Sequence, residues 1–300
     1  MGTDETLAWE ARQRPRAAAA ALAAPVLIIA GYFLPALILP AGPVPSLVDA
    51  LQRAAAPGSV GDAPSVRTAS LEYFVDHVPG VSVGLAVQAL GFVLMALALT
   101  LLAFATRARV PEFPRVAVFV PAFGGLLTAI YFVLRLVAGP VGADAFLDGA
   151  RTVDDAGAIA GGALNQASLV AEVVATFALA LGFMLVSLNA MRAGLLTRFM
   201  GILGILCGVL LLLQSIGRSL PIVQCLWLGA LAALFAGRWP GGMPPAWRTG
   251  KREPWPTQQE LREARDRAQE PAVAAASGPA PAATLPAHPS SKKRKRKRRR

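Results

Sequence analysis

The sequence contains few of the residues from which catalytic and metal centres are usually built. Its 300 residues include only two cysteines and two histidines. Cys207 and Cys225 lie inside apolar runs, which excludes a disulfide framework and a Cys-rich zinc site. His77 and His288 are too few for a His-based metal or acid-base centre, and no Walker, Rossmann, H-E-x-x-H or G-x-S-x-G motif is present. We therefore expect no cofactor, no bound metal and no covalent catalysis.

Charge is also scarce, apart from one segment at the carboxyl terminus. Only 16% of the residues are charged and 55% are hydrophobic, with a mean hydropathy of +0.52, which does not fit a water-soluble surface. The formal net charge of +11 falls to +2 when the nine residues Lys292 to Arg300 are left out, because all nine are Lys or Arg. The composition therefore indicates an all-α integral membrane protein with a basic tail.

Six apolar runs are long enough, or nearly long enough, to cross a membrane as helices. Hydrocarbon about 30 Å thick needs roughly 20 apolar residues at 1.5 Å rise each. The runs are Ala17 to Leu39, Val81 to Ala105, Val116 to Val137, Ala167 to Leu188, Phe199 to Gly217 and Pro221 to Ala236. The last two meet at a proline, so we expect a helical hairpin there. The first run exceeds a signal-peptide core and has no good cleavage site, which indicates an uncleaved span.

Positive residues predict the orientation, because Lys and Arg are retained on the cytoplasmic side of a membrane. Eight arginines flank the spans on one side, counting the amino-terminal segment 1–16 and the loops after the second and fourth spans. Only four lie in the three loops on the other side, which are longer in total. We therefore predict that both termini are cytoplasmic, with a transmembrane domain 17–237 and outer loops 40–80 and 138–166.

The outer loops contain their own helical signals. Ser46 to Asp49 resembles a capping box, and Ser65 to Val78 places apolar residues on one side, which predicts a small helical cap. Asp144, Asp148, Asp154 and Asp155 in the second loop offer oxygen ligands for a hard cation, but no EF-hand spacing is present and solvated acids are the ordinary case.

Polar residues inside the predicted spans collect on the outer side. The only acid within a span is Glu172 and the only base is Arg135, with Arg218 at the edge of the fifth span. An ionised side chain at the membrane centre costs about 2.5 to 3.5 kcal/mol, so such residues usually face a bundle interior, a cavity or a partner. Together with uncharged neighbours they form a candidate ligand-binding set: Glu172, Arg135, Arg218, Gln88, Ser168, Thr176, Gln214 and Gln224.

Two interpretations of this set stay open. In the functional one, Glu172 pairs with Arg135 or Arg218 beside an outward-opening, water-accessible pocket for a small polar ligand, an ion or a proton. In the structural one, the arginines reach the interface while Glu172 and the glutamines lock helix packing, at about 1 kcal/mol per hydrogen bond. The G-x-x-x-G steps at Gly80 and Gly204 similarly favour packing within the bundle over a homo-oligomer.

The carboxyl-terminal region changes composition abruptly. A cytoplasmic segment 238–270 contains Trp239 and Trp247, which are typical of the headgroup level, followed by a short polar helix from Gln258 to Glu270. Residues 271–300 form a predicted disordered linker and polybasic tail. We expect anionic lipid headgroups to bind the tail, with loose nucleic-acid contact or a purely topological role as alternatives, and we do not expect sequence-specific nucleic-acid readout. The lipid-binding residues are Lys292, Lys293, Arg294, Lys295, Arg296, Lys297, Arg298, Arg299 and Arg300.

The segment from Asn189 to Gly208, followed by Pro244 to Trp247 and Pro254 to Pro256, resembles uncharacterised multi-pass membrane proteins of high-GC bacteria. The resemblance is strongest from the fourth span to Glu270. It implies an integral plasma-membrane location and a cytoplasmic carboxyl terminus. Its motifs concern packing and loops, so it implies no substrate and no site residue.

These observations favour a protein that senses, binds or transports a small polar ligand or ion at an outward pocket. The alternative is a structural or scaffolding membrane protein whose tail binds anionic lipid or a cytosolic partner. An intramembrane enzyme comes third, because the spans lack a nucleophile or metal set. No inverted repeat or pair of broken helices is evident, which weakens the secondary-transporter interpretation.

Overall fold

The computed structural model describes residues 3–44, 46–55, 60–217, 220–240, 242–253, 255 and 262–263. Within these residues the secondary structure is helical and contains no β-strand, which confirms the predicted all-α class. The chain divides into one unit from Met1 to Trp255 and a second from Pro256 to Arg300, and the account below concerns the first. The predicted linker, the basic tail and most of the predicted polar helix lie outside the described residues.

Ten helices follow one another in the described part of the first unit. They are α1 Thr3–Ile38, α2 Leu47–Ala54, α3 Thr68–Asp76, α4 Val78–Arg109, α5 Arg115–Asp148, α6 Val153–Ala160, α7 Ala163–Ala193, α8 Arg198–Gly217, α9 Ile222–Phe235 and α10 Pro245–Thr249. By length and composition, α1, α4, α5 and α7 can each cross a membrane, whereas α8 and α9 are shorter apolar helices. The structure therefore shows four candidate spans where the sequence predicts six.

The six longer helices form a ring in chain order. Each of α1, α4, α5, α7 and α8 packs on the next of these helices, and α9 closes the ring against α1. Neighbours are antiparallel: Gly91 of α4 packs on Ile28 of α1, and the Trp227 indole of α9 donates a hydrogen bond of 2.9 Å to the Met200 carbonyl oxygen of α8. We call the end where α1 begins basal and the end where it stops apical.

Glycines allow the closest approaches within this ring. A methyl group on Gly31 would lie 2.6 Å from the Gly84 carbonyl oxygen, and one on Gly208 would lie 2.6 Å from the Ala180 carbonyl oxygen. Gly80 likewise packs against Leu39. Both predicted G-x-x-x-G steps thus contact helices of the same chain, as the packing interpretation expects.

The segments that join α1 to α4 and α5 to α7 at the apical end, called the apical connections below, contain more helix than the sequence predicts. Helix α5 does not stop at Val137 but runs through Pro140 to Asp148, so the segment 138–166 is mostly helical. The short helices of the apical connections are capped by side chains or turns: Ser46 Oγ accepts a hydrogen bond from the Asp49 amide at 3.3 Å, and Thr152 forms a capping box with Asp155. The predicted helical cap corresponds to α2 and α3, and α6 adds a third short helix that the sequence does not predict.

The basal end is closed by a cluster that the sequence analysis does not predict. Arg109 at the end of α4 and Glu10 of α1 form an ion pair whose side chains are 0% and 3% exposed. Arg109 also donates through Nε and Nη2 to the Ala246 carbonyl oxygen, at 3.0 and 2.8 Å. Trp247 lies beside this pair, with the guanidinium carbons of Arg109 and Arg14 both 5.4 Å from its ring centroid. We name Glu10, Arg14, Arg109 and Trp247 the basal cluster.

The basal cluster extends one expectation and corrects another. Residues 3–16 of the predicted amino-terminal segment are helical, because α1 begins at Thr3 and continues directly into the predicted first span. Trp247 is not an aromatic-belt residue, because it is 5% exposed and its indole donates to the Leu195 carbonyl oxygen at 3.0 Å. The guanidinium groups of buried Arg109 and half-buried Arg14 contact the Trp247 ring, and the Leu195 carbonyl oxygen accepts from its indole, so protein groups replace the contacts that a headgroup region would provide.

Candidate functional site

Two cavities lie in the apical half of the ring and share part of their lining. The cap cavity, about 590 Å³, lies between the ring and the short helices α3 and α6. The bundle cavity, about 360 Å³, lies among α1, α4, α5, α7 and α8. Leu85, Arg135 and Glu172 line both. These volumes fall within the range of roughly 300 to 1,000 Å³ that is typical of small-molecule sites.

Helix register brings Arg135 and Glu172 to the same level. Helix α5 packs antiparallel on α7, with Gly124 against Leu179 toward the basal side and Gly142 near Asn165 toward the apical side. Arg135 and Glu172 lie between these two contacts, one on each helix. Both side chains are partly buried.

The direct pair expected between these two residues is not formed. Among the residues that the structure describes, the ion pairs are Glu10 with Arg109 and Glu72 with Arg151, so neither Arg135 nor Glu172 takes part in one. The positive charge of Arg135 and the negative charge of Glu172 thus line the same two cavities without forming an ion pair. The predicted pairing of Glu172 with Arg218 cannot be placed, because Arg218 lies outside the described residues.

The other members of the predicted set separate into two groups. Ser168 lines the cap cavity, and Gln88 and Thr176 line the bundle cavity. Gln224 lines neither, because its side chain is fully buried and its amide donates a hydrogen bond of 3.0 Å to the Cys207 carbonyl oxygen of α8. Gln224 therefore holds α9 to α8. The side chain of Gln214, the remaining member of the set, lies outside the described part of the chain.

Several lining residues escape the sequence analysis. Arg67, at the start of α3, adds a second cation at the cap cavity. Thr128 and Tyr131 line the bundle cavity together with Arg135. Their spacing along α5 is i, i+3, i+7, which is one helix face, so a search for polar residues at helical spacing on the third span would identify them.

Aromatic and aliphatic side chains form part of the lining of the bundle cavity. Phe92, Phe132 and Leu179 line it, and below it the ring interior is filled by fully buried side chains such as Met95 and Phe183. A solute held here would place charged groups near Arg135 and Glu172 and an apolar part toward the aromatic rings. This arrangement suits recognition of a small amphipathic solute through charge-assisted hydrogen bonds and apolar contact.

The acidic residues of the apical connections do not gather into a metal site. Asp155 is engaged in the capping box of α6, where its carboxylate accepts from the Thr152 amide at 3.1 Å. Within the described ranges no group of three or more His, Cys, Asp or Glu side chains is placed to hold a metal ion. The site therefore has to be interpreted from Arg135 and Glu172.

Comparisons with known proteins add no assignment. No protein-family model, no curated protein and no solved structure matches this chain. The fold and the site stand on the sequence and the structure alone.

Proposed function

We propose that the chain is a six-span protein of a bacterial plasma membrane, with both termini cytoplasmic, that binds a small polar solute from the outside at the two apical cavities. We also propose that it belongs with the uncharacterised multi-pass proteins of high-GC bacteria that it resembles. The basal end is cytoplasmic in this proposal, in agreement with the arginines that flank the spans there.

Exposed apolar side chains support a membrane surface around the ring. On α5 they recur at alternating three- and four-residue steps over the whole apolar length: Val116, Phe119, Phe123, Leu126, Ile130, Val133 and Val137. A continuous stripe of this kind is rare on soluble monomers but is expected where a helix faces lipid. Four long apolar helices are compatible with the same environment.

The shorter helices α8 and α9 complete the proposed six spans. Helix α8 has 20 residues, which corresponds to about 30 Å at 1.5 Å per residue. It exposes Phe199, Ile202, Leu206, Val209 and Leu213 in the same alternating spacing as α5. Helix α9 has 14 residues, or about 21 Å, and packs against both α8 and α1. Helix α8 is therefore long enough to cross, and the shorter α9 would complete the crossing together with the residues that flank it.

The observation that carries the binding proposal is the arrangement of Arg135 and Glu172. Two partly buried, opposite charges face the same pair of cavities and have no ion-pair partner among the described residues. Charged groups in such surroundings are expensive unless they serve a ligand or a water-filled path.

A solute panel tests this proposal directly. Purified full-length protein in mild detergent is heated with amino acids, carboxylates, amines, sugars and inorganic ions, and the apparent unfolding temperature is recorded. A solute at 100 times its dissociation constant stabilises the folded state by about 2.7 kcal/mol, which such a scan detects. We expect at least one solute to stabilise the protein, and we expect Arg135→Gln or Glu172→Gln to abolish that effect.

The matched control is the exposed pair of Glu72 and Arg151, whose side chains are 48% and 45% exposed on the same apical side. Glu72→Gln and Arg151→Gln should leave the solute effect intact. If no solute stabilises the protein, or if the effect survives both cavity variants, the binding proposal is wrong and the scaffolding alternative gains support.

A further inference from the structure

We infer that the solute recognised at Arg135 and Glu172 is a zwitterion with an apolar body, of the α-amino acid type. This inference rests on the proposed binding function and specifies its ligand class. It follows from three properties of the site. These are the balance of charge, the lack of an ion pair between Arg135 and Glu172 among the described residues, and the apolar surface below the two charged side chains.

The first property is the balance of charge in the bundle cavity, since Arg67 lines the cap cavity but not the bundle cavity. Arg135 contributes one positive group and Glu172 one negative group, on neighbouring helices at the same level. A simple anion would satisfy the arginine and leave the carboxylate unneutralised in a partly buried place, and a simple cation would do the reverse. A ligand that carries both charges neutralises both residues in one binding event.

The second property is that no ion pair joins the two side chains among the described residues. An internal pair would have to be broken before a ligand could bind. Since the guanidinium is not engaged with Glu172, its planar fork is available to a ligand carboxylate in a bidentate arrangement. Glu172 can then accept hydrogen bonds from a ligand ammonium group.

The third property is the apolar part of the bundle cavity lining, which lies beside polar residues such as Gln88 and Thr176. Phe92, Phe132 and Leu179 line the space directly below the charged level, in a cavity of about 360 Å³. An inorganic ion or a sugar would leave these surfaces without an apolar partner. A branched aliphatic side chain would displace water from them, which favours binding.

Leucine and two analogues that each lack one charged group test the inference. The analogues are 4-methylpentanoate, which lacks the ammonium group, and 3-methylbutylamine, which lacks the carboxylate. Dissociation constants are measured by titration calorimetry with full-length protein in detergent. We expect leucine to bind about 10- to 100-fold more tightly than either analogue, the range for one charge-assisted interaction in a partly buried site.

Variants assign each charge to its partner. Arg135→Gln should weaken leucine and 4-methylpentanoate by the same factor and leave 3-methylbutylamine unchanged, and Glu172→Gln should weaken leucine and 3-methylbutylamine only. Arg135→Lys keeps the charge and serves if Arg135→Gln fails to fold. The Glu72→Gln variant should bind all three probes as the native chain does.

The outcomes separate this inference from the proposed function. Equal affinity for leucine and either analogue overturns the zwitterion assignment while solute binding stands. Binding of other panel solutes without any binding of leucine does the same. If no solute of the wider panel binds, both the inference and the proposed function are wrong.

Discussion

Replacing Glu10 tests whether the basal cluster stabilises the ring. Arginine carries five N–H donors, and all five of Arg109 have acceptors: both carboxylate oxygens of Glu10, the Ala105 carbonyl oxygen, and the Ala246 carbonyl oxygen twice. Glu10→Leu removes the compensating charge and leaves two donors without acceptors. Because the guanidinium is buried, its desolvation is no longer offset.

The expected loss follows from this geometry. Breaking a buried pair by removing one partner costs about 3 to 5 kcal/mol. Glu10→Gln keeps one carbonyl acceptor and should fall near the lower limit, whereas Glu10→Leu should fall near the upper limit. The double variant Glu10→Leu with Arg109→Met replaces both charges by apolar groups and should recover part of the loss, with a coupling of at least 1 kcal/mol.

The measurement is denaturant unfolding in detergent, followed by circular dichroism so that Trp247 does not dominate the signal. The exposed pair again provides the control, because Glu72→Gln should cost less than about 1 kcal/mol. Strict additivity of the two single losses, or a loss for Glu10→Leu no larger than that of the control, would refute the buried-pair argument.

Three further predictions follow from the packing, the proposed topology and the tail. Gly31→Ala should destabilise the protein by about 1 to 3 kcal/mol, because the added methyl group would lie 2.5 to 2.8 Å from backbone atoms of α4. Gly229→Ala, with no atom within 4 Å of the added group, should be neutral or stabilising, and equal effects in circular dichroism melts would count against the close contact. A cysteine replacing Ala145 should react with an impermeant reagent in intact cells while one replacing Lys251 should not, and the reverse pattern would invert the topology. Deleting Lys292 to Arg300 should leave insertion and the unfolding temperature unchanged but abolish salt-sensitive binding to anionic vesicles, and failed insertion would assign the tail a topological role.

The choice of Lys251 in the labelling experiment depends on the structure. From the sequence, Ala246 looks like an ordinary position in a cytoplasmic loop. In the structure it is fully buried and its carbonyl oxygen accepts from Arg109, whereas Lys251 is exposed. A label at Ala246 would report burial and not the side of the membrane.

The helices and part of the site could be predicted because their signals are local. Run length and hydropathy identify the apolar helices, and the rarity of charge within them identifies Arg135 and Glu172, which the structure places at shared cavities. Membrane physics makes each such residue conspicuous in a single sequence. The helix α5 extension is a different case, because Pro140 suggests an end that tertiary contacts override.

The basal cluster could not be predicted because its signal is not local. Glu10 and Arg109 both lie in charged flanking segments, where solvated side chains are the ordinary case. Their contact depends on the antiparallel register of α1 and α4, which glycine and alanine contacts set along the whole length of both helices. Gln224 shows the opposite error, since this polar residue of an apolar helix holds α9 to α8 and does not line the bundle cavity.

The hydrogen bonds of Arg109 to Ala246 also have a consequence for the order of assembly during synthesis. The two residues are separated by 137 positions, so the arginine enters the nascent protein long before its acceptor exists. At roughly 5 to 20 residues per second, the interval is on the order of ten seconds. During that time α1 and α4 can already associate through Glu10, but the guanidinium still has free donors. The Ala246 carbonyl oxygen is therefore the last acceptor of Arg109 to be synthesised, after the whole of α9, and a chain that stops before Ala246 would leave two N–H donors of the buried guanidinium without acceptors.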